Sequence, residues 1–177
     1  DQPYSPASLG DNDWAHSWQK YYKPMPVGER LYIVPEWERG EPVPAGKAPL
    51  YLNPGLTFGT GSHASTQLCL MGLERYTVPG KPVLDLGCGF GWHCRYAVEQ
   101  GAASVVGVDL SERMLAEARA MTDSPAIQYL RMPIEAIDFP ADSFDVAISS
   151  LAFHYIESFG GLCAKVNRCL SAGGHFV

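Results

Sequence analysis

Three glycines at alternate positions carry the strongest chemical signal in this chain. Gly87, Gly89 and Gly91 directly follow the apolar run 82–86, which predicts a buried strand that contains one acid, Asp85. When a strand, a glycine turn and a helix follow one another, free backbone N–H groups at the start of the helix face an anionic group of a ligand. Because nucleotide-type cofactors bind at such turns, the segment predicts a cofactor site.

The residues around the turn indicate which cofactor it binds. A dinucleotide site requires a further glycine where the helix packs on the strand, and Trp92 takes that position here. Asp85 is a poor neighbour for a pyrophosphate, but it suits a ligand with an ammonium and a carboxylate at one end. The methionine part of S-adenosylmethionine is such a ligand, and a nicotinamide-dependent dehydrogenase is the weaker alternative.

A second acid strengthens this interpretation. The run 104–109 predicts another buried strand, and it ends in Asp109. This acid lies about 20 residues beyond the glycine turn, the spacing at which an acid after a second strand binds ribose hydroxyls. A buried parallel sheet with a tight turn and two solvated acids would also explain the pattern. The glycine turn together with both acids favours a cofactor site.

The segment 85–91, followed by Asp109, resembles the class I S-adenosylmethionine-dependent methyltransferases, with two branches in different parts of the chain. Residues 13–89 are similar to the ribosomal protein L11 methyltransferases, and residues 90–177 to small-molecule or quinone-type methyltransferases. The branches meet in the glycine turn that both share, so a recombined or engineered chimera is one hypothesis. The segments that show the resemblance are 13–18, 21–24, 28–35 and 53–63 for the first branch, and 139–145, 149–156 and 173–176 for the second.

The resemblance implies S-adenosylmethionine as cofactor, S-adenosylhomocysteine as product, and a set of site residues. Asp109 would bind the ribose, while Leu110 and the segment 134–135 would contact the adenine. Ser149 ends the fourth strand beside the expected methyl position, and His154 and Tyr155 follow that strand, so these three are the candidates to act on the acceptor. The residues implied to bind the cofactor are Phe58, Thr60, Gly61, His63, Asp85, Gly87, Cys88, Gly89, Gly91, Asp109, Leu110, Ile134, Glu135 and Ser149.

Simpler roles compete with some of these assignments. The loop that ends at His63 could be the start of a helix with Ser62 as its N-cap. His154 could be satisfied by backbone groups at a helix start, although histidine suits proton transfer near neutral pH. Cys88 could be a small apolar filler of the turn.

Composition restricts the function further. A chain of 177 residues forms one domain, and its net charge of −6 argues against nucleic-acid binding. The five cysteines form no C-x-x-C pair, which favours reduced thiols in a cytoplasmic protein. The five histidines lack ligand spacing, so we expect no metal site. No apolar run has membrane-spanning length and no signal peptide is visible, so we expect no membrane association.

The order of elements predicts an α/β fold. We expect residues 1–49 to form an N-terminal arm packed on the core, and residues 50–177 to form the methyltransferase domain. Alternating strands and helices predict a Rossmann-like, doubly wound parallel sheet of strand order 3-2-1-4-5. Predicted strands are 29–34, 48–52, 82–86, 104–109, 127–130, 144–149 and 174–177; predicted helices are 63–76, 90–100, one from Ser111 as N-cap, and 158–170, closed by Gly173 and Gly174.

The class normally adds a helix and two antiparallel strands, the sixth and seventh, after strand five, and the sequence does not contain them. Strand five would then be an unpaired edge, which predicts a homodimer through this edge or a marginally stable fragment. Three functions remain open: methyl transfer to an undetermined small-molecule or protein acceptor, methylation of ribosomal protein amino groups of the L11 type, and a non-catalytic cofactor-binding or recombined scaffold domain.

Overall fold

A computed structural model describes residues 19–52, 63–153 and 156–177. Within these ranges the chain forms two sheets with helices packed on them. Short 3₁₀ helices cover Gln19–Tyr21, Glu36–Glu38 and Ile134–Ala136. The strands are β1 (Met25–Val27), β2 (Leu31–Pro35), β3 (Ala48–Leu52), β4 (Pro82–Leu86), β5 (Ser104–Asp109), β6 (Ile127–Arg131), β7 (Phe144–Ile148) and β8 (Leu170–Phe176), and the helices are α1 (Ala64–Tyr76), α2 (Trp92–Glu99), α3 (Glu112–Ala120) and α4 (Phe159–Cys169).

The larger sheet is the predicted doubly wound one. Its five strands are parallel and lie in the order β6-β5-β4-β7-β8. This is the predicted order 3-2-1-4-5 when only the strands of this sheet are numbered, from β4 as strand 1 to β8 as strand 5. Consecutive side chains of β4 enter the two different apolar clusters, Val83 on the side of α1, α2 and α3, and Leu84 on the side of α4. Both faces are therefore covered, which explains the nearly continuous apolar runs of these strands.

A smaller sheet precedes it in the chain. β1 pairs antiparallel with β2, and β2 pairs parallel with β3. Leu31 and Ile33 of β2 are fully buried in the same cluster as Leu70 of α1. The predicted boundary between residues 49 and 50 falls inside β3, and the division into arm and domain stays a prediction.

Glu74 of α1 joins the smaller sheet to the main domain. Its carboxylate accepts hydrogen bonds from the backbone N–H groups of Glu29 (2.9 Å) and Arg30 (3.1 Å) and from the Tyr96 hydroxyl of α2 (3.0 Å). Gly28, with a φ of 59°, precedes these residues, and a Cβ there would overlap the Glu74 carboxylate. The turn between β1 and β2 is thus held against both helices.

β8, the fifth strand of the larger sheet, begins earlier than predicted. The glycine pair at 173–174 was expected to close a helix that ends at residue 170, yet the helix ends at Cys169 and β8 already begins at Leu170. The register with β7 shifts between Phe144, opposite Leu170, and Val146, opposite His175. Glycine allows this bulge because Gly173 has a φ of 80°, so the pair bends the strand and does not end the helix.

Candidate functional site

The carboxyl ends of β4, β5 and β7 surround a cavity of about 790 Å³. This volume lies in the range of small-molecule sites, and the cavity lies where the strand order reverses, between β4 and β7. On the β5 side of β4 it has an acidic end, and on the β7 side a hydroxyl end. The acidic end consists of Asp109, Leu110, Met114, Pro133, Ile134 and Glu135; the hydroxyl end consists of His63, Thr66 and Ser150.

The glycine turn lies between the two ends. Gly87, Gly89 and Gly91 have φ angles of 78°, 52° and 69°, which explains their alternation, because side-chain-bearing residues rarely adopt this conformation. The backbone N–H groups of Gly87 and Cys88 both donate to the Val108 carbonyl, at 2.8 and 3.0 Å. The turn is therefore hydrogen-bonded to β5, and α2 begins directly after it.

Two of these glycines also lack space for a side chain. A Cβ on Gly87 would lie 2.6 Å from the Cβ of Ala152, which follows β7. A Cβ on Gly91 would overlap the hydroxyl of Tyr129 on β6. The turn thus packs directly against Ala152 on the cavity wall and against Tyr129 of β6.

Asp109 is held rigidly at the acidic end. Its Oδ2 accepts a hydrogen bond from the Gly89 N–H (2.9 Å), and its Oδ1 accepts one from the Ser111 N–H (2.8 Å). Ser111 in turn caps α3 by accepting from the Met114 N–H at 3.3 Å, as predicted. A carboxylate oxygen has a second lone pair, so Asp109 can still accept hydrogen bonds from two ligand hydroxyls.

The other predicted residues of this end also line the cavity. Leu110 is 63% exposed, and Ile134 faces the same space, so both offer apolar surface to a flat ring. Glu135 lies beside Ile134 in the short 3₁₀ helix after β6.

Asp85 was predicted to face the ligand, but it is not among the residues that line the cavity. Its side chain is fully buried, Oδ2 accepts a hydrogen bond from the Cys94 thiol (3.2 Å), and Oδ1 has no partner among the described residues. Burial raises the pKa of this carboxyl to about 7, and the negative charge of Asp109 contributes to the increase. The hydrogen bond from Cys94 lowers the pKa and offsets part of this effect. The pleat of β4 places Asp85 on the face that α2 covers, which explains the difference.

Ser149 also departs from its predicted place. Its hydroxyl donates to the Leu86 carbonyl at 2.7 Å, and the residue lines a second cavity of about 470 Å³ next to α1. Ser150, one residue later, lines the main cavity. Neighbouring residues of an extended chain point to opposite sides. Ser150 therefore faces the main cavity, in the place that was predicted for Ser149.

Four polar side chains are connected at the hydroxyl end. Ser150 Oγ lies 3.3 Å from Thr66 Oγ1 and 3.4 Å from Ser65 Oγ, and Ser65 Oγ lies 2.8 Å from His63 Nδ1. His63 is the N-cap of α1, because its Nδ1 accepts from the Ser65 N–H at 3.3 Å. His63 therefore holds the N-cap position, and Ser62, the N-cap predicted from the sequence, lies outside the described residues.

Sequence reasoning missed two residues of the first turn of α2. Trp92 and His93 line the cavity, and their rings stack with centroids 3.7 Å apart. Burial lowers the pKa of His93 to about 3, so its imidazole is neutral. Its Nε2 is buried without a hydrogen-bond partner among the described residues. Their position directly after the glycine turn is the signal that could have identified them.

The remaining predicted residues divide into two groups. Gly87, Cys88 and Gly89 line the cavity, whereas Gly91 lies behind it as the N-cap of α2. In the described ranges, no group of three or more His, Cys, Asp or Glu side chains could hold a metal ion, and no helix is long and apolar enough to cross a membrane. The predicted residues Phe58, Thr60, Gly61, His154 and Tyr155 lie outside the described residues.

Comparison with known proteins extends these observations. The sequence model of a family described as ribosomal protein L11 methyltransferase matches residues 3–177. A ribosomal protein L11 methyltransferase of Geobacillus kaustophilus (strain HTA426) is 32% identical over 173 residues, which are 97% of this chain and 54% of that protein. The chain therefore spans about half the length of the curated relatives it matches.

Solved structures agree with the family match. A ribosomal protein L11 methylase from Lactobacillus delbrueckii subsp. bulgaricus has a TM-score of 0.69 at 28% identity and covers 88% of this chain and 78% of that one. An S-adenosylmethionine-dependent methyltransferase from Listeria monocytogenes is 48% identical with a TM-score of 0.56, over 62% of this chain and 53% of that one. The family match lies on both sides of the glycine turn, so the L11-type similarity continues beyond Gly89, and the chimera stays a hypothesis.

Proposed function

The chain belongs to the ribosomal protein L11 methyltransferase family, and from this premise we propose that its cavity binds S-adenosylmethionine for methyl transfer to an acceptor. The observation that carries the proposal is the rigid Asp109 carboxylate beside the glycine turn, at the switch point of the sheet. When bound, the cofactor supplies a methyl group that is already activated on a sulfonium, and it leaves as S-adenosylhomocysteine.

The residues present fit this cofactor. Asp109 has lone pairs available for the two ribose hydroxyls, and Leu110 and Ile134 flank a space for the adenine ring. The buried Asp85 carboxyl lies behind the glycine turn and does not line the cavity, so it would not contact the cofactor directly.

The protein contributes mainly alignment and exclusion of water. A methyl transfer requires the acceptor atom, the methyl carbon and the sulfur in line, and such positioning can lower a barrier by roughly 7–11 kcal/mol. Gly87 packs against Ala152 on the cavity wall, and Gly91 packs against Tyr129 behind it, so the glycine turn is held in place from both sides. The roles predicted for His154 and Tyr155 toward the acceptor stay predictions.

We propose a protein amino group as the acceptor, because the relatives that cover most of this chain are named for ribosomal protein L11. A small-molecule acceptor is the second candidate, favoured by the resemblance of the segments 139–145, 149–156 and 173–176 to small-molecule methyltransferases. A nucleic-acid acceptor is disfavoured by the net charge of −6.

A further feature supports a finer proposal. Cys69, Cys88, Cys94, Cys163 and Cys169 are all free thiols, which favours a reducing, cytoplasmic setting.

Two measurements on the unmodified protein test the proposal. Calorimetric titration is expected to show binding of S-adenosylhomocysteine and none of a nicotinamide dinucleotide. Methyl-labelled S-adenosylmethionine is expected to label purified ribosomal protein L11, and label in a small-molecule fraction of a cell extract would favour the second acceptor. Binding without any labelled product would indicate a non-catalytic domain, and absence of binding by the folded protein would overturn the proposal.

A further inference from the structure

Methylation of an amine or a hydroxyl releases one proton from the acceptor, and the cavity must let it leave. We propose that Ser150, Ser65 and His63 form a relay that carries this proton from the hydroxyl end of the cavity to solvent. The inference rests on the proposed methyl transfer, and it assigns a role to side chains that no sequence motif joined.

The geometry of the three side chains forms a continuous path. Ser150 lines the cavity, and its Oγ lies 3.4 Å from Ser65 Oγ, which lies 2.8 Å from His63 Nδ1. His63 is exposed, so its ring also reaches solvent. Hydrogen bonds of this kind are often long without substrate and shorten in the productive complex.

The direction of the relay depends on the tautomer of His63. The relay requires a ring whose Nδ1 carries no proton, and the Ser65 N–H at 3.3 Å from Nδ1 fits this tautomer. In it the Ser65 hydroxyl, 2.8 Å from Nδ1, donates to Nδ1 and accepts from the Ser150 hydroxyl. Ser150 Oγ keeps a lone pair toward the cavity, where it can receive the proton of the acceptor.

Thr66 and Cys69 hold Ser150 in this orientation. Thr66 is fully buried, and its Oγ1 lies 3.3 Å from Ser150 Oγ. The Cys69 thiol donates to the Ser149 carbonyl at 3.4 Å. Burial, together with the charge of Asp85, raises the pKa of Cys69 to about 11, so the thiol stays protonated and does not capture the proton.

The other titratable groups nearby are poorly suited to the task. Asp85 is not on the cavity wall. His93 is on the wall, but burial lowers its pKa to about 3, which makes it a weak base. His63 has an exposed imidazole on the cavity wall, and its Nδ1 is connected to Ser150 through the Ser65 hydroxyl.

The atoms and charges of the step balance. The lone pair of the acceptor nitrogen or oxygen forms the bond to the methyl carbon, and the carbon–sulfur bond breaks with its electron pair left on sulfur. The acceptor proton passes to Ser150 Oγ as the Ser150 proton passes to Ser65 Oγ and the Ser65 proton to His63 Nδ1. His63 then releases its Nε2 proton to water, so the positive charge of the sulfonium leaves the site as a solvated proton.

Substitutions that remove single hydroxyls test the relay. With purified ribosomal protein L11 and a small-molecule extract fraction as probes, Ser150→Ala and Ser65→Ala are expected to lower kcat about 100-fold. Calorimetric affinity for S-adenosylhomocysteine is expected to change less than about twofold. Ser65→Thr keeps the hydroxyl and is expected to retain most activity, and Ser171→Ala makes the matched change at a surface serine that donates to the Asp142 carbonyl.

Two readouts separate a relay from a structural role. Added imidazole is expected to restore transfer by His63→Ala in proportion to its concentration, because the residue is exposed. In the ligand-free protein, ¹⁵N spectroscopy of the His63 ring is expected to show a protonated Nε2 and an unprotonated Nδ1. The opposite tautomer would reverse the relay and overturn the inference.

The outcomes distinguish this inference from the proposed function. If the unmodified protein transfers methyl groups and the serine variants do so equally well, the relay is wrong and the proposed function remains. If the unmodified protein transfers to neither probe, the proposed enzymatic function is wrong and the relay has no proton to carry.

Discussion

The two ends of the cavity are built in different ways. At the acidic end, Asp109 is fixed by the N–H groups of Gly89 and Ser111, at most 20 positions away along the chain. At the hydroxyl end, Ser150 meets Thr66 and Ser65, which are 84 and 85 positions away. The first end follows from local strand–turn–helix geometry, whereas the second exists only when α1 packs on the end of β7.

The comparison indicates different functions for the two ends. A rigid carboxylate held by backbone groups suits recognition of a constant cofactor. A chain of hydroxyl groups that ends at an exposed imidazole suits a proton that must leave. Asp85 interacts electrostatically with groups near both ends. The charge of Asp109 raises the pKa of Asp85, and the charge of Asp85 raises the pKa of Cys69. Variants of these residues test whether the ends are separable.

The largest effect is expected from Asp85→Asn, because Asp85 acts on both ends. Its pKa is about 7 in the folded protein against 3.8 for the unperturbed group, so the folded state keeps a proton that the unfolded state loses between these values. The contribution of Asp85 to stability is therefore present below about pH 4 and is lost as the pH rises to 7. Relative to the variant, the unmodified protein is expected to lose about 4 kcal/mol across this window.

Urea unfolding of both proteins from pH 4 to 9 measures this difference. His93 acts in the opposite sense, because burial lowers its pKa to about 3 and protonation in acid destabilises the fold. Both proteins carry His93, so its effect cancels in the difference. Asp123→Asn on the exposed surface is the control, expected within about 0.5 kcal/mol at every pH. A flat difference for Asp85→Asn would contradict the burial argument.

The next largest effect is expected from Gly91→Ala, which disturbs the packing of the glycine turn on β6. The new Cβ would overlap the buried Tyr129 hydroxyl, and φ of 69° disfavours a side chain. We expect a loss of about 3 kcal/mol in the free energy of unfolding.

Gly89→Ala is its matched control. There φ is 52°, but a Cβ would meet only the Met114 sulfur at 3.6 Å, so the cost is about 1 kcal/mol, from backbone strain alone. Equal losses for the two variants would show that contact with Tyr129 is unimportant.

Asp109→Ala is expected to affect ligand binding more than stability. The substitution removes the acceptor proposed for the ribose hydroxyls and frees the Gly89 and Ser111 N–H groups. Affinity for S-adenosylhomocysteine should fall at least about tenfold, or about 1.4 kcal/mol, in calorimetric titration. Glu112→Ala removes a nearby surface carboxylate that pairs with Arg119 at 3.2 Å, and unchanged affinity is expected for it.

The smallest effect is expected from Thr66→Val at the hydroxyl end. The variant keeps the side-chain shape and loses the hydrogen bond to Ser150, at a cost of about 1 kcal/mol in thermal or urea unfolding. Affinity for S-adenosylhomocysteine is expected to stay within about twofold. A larger loss of affinity would mean that the cofactor depends on both ends, and the separation proposed above would not hold.

Local patterns were sufficient for the strands of the parallel sheet and for Asp109. The Ser111 cap and the cavity position of Asp109 follow from the apolar runs, the glycine turn and their spacing, which involve residues near one another in the chain. The strand order follows from the alternation of strands and helices, whereas the cavity positions of Leu110, Ile134 and Glu135 were implied by the family resemblance.

The sequence by itself therefore determined the fold, the glycine turn and the acid beside it. Only the tertiary structure decided that Asp85 is buried behind the cavity, that Ser150 and not Ser149 faces it, and that His63 reaches Ser150 through Ser65. The physical reason is that one residue along a strand reverses the direction of a side chain, and contacts between distant segments depend on how helices pack. Neither is encoded in the spacing of a motif.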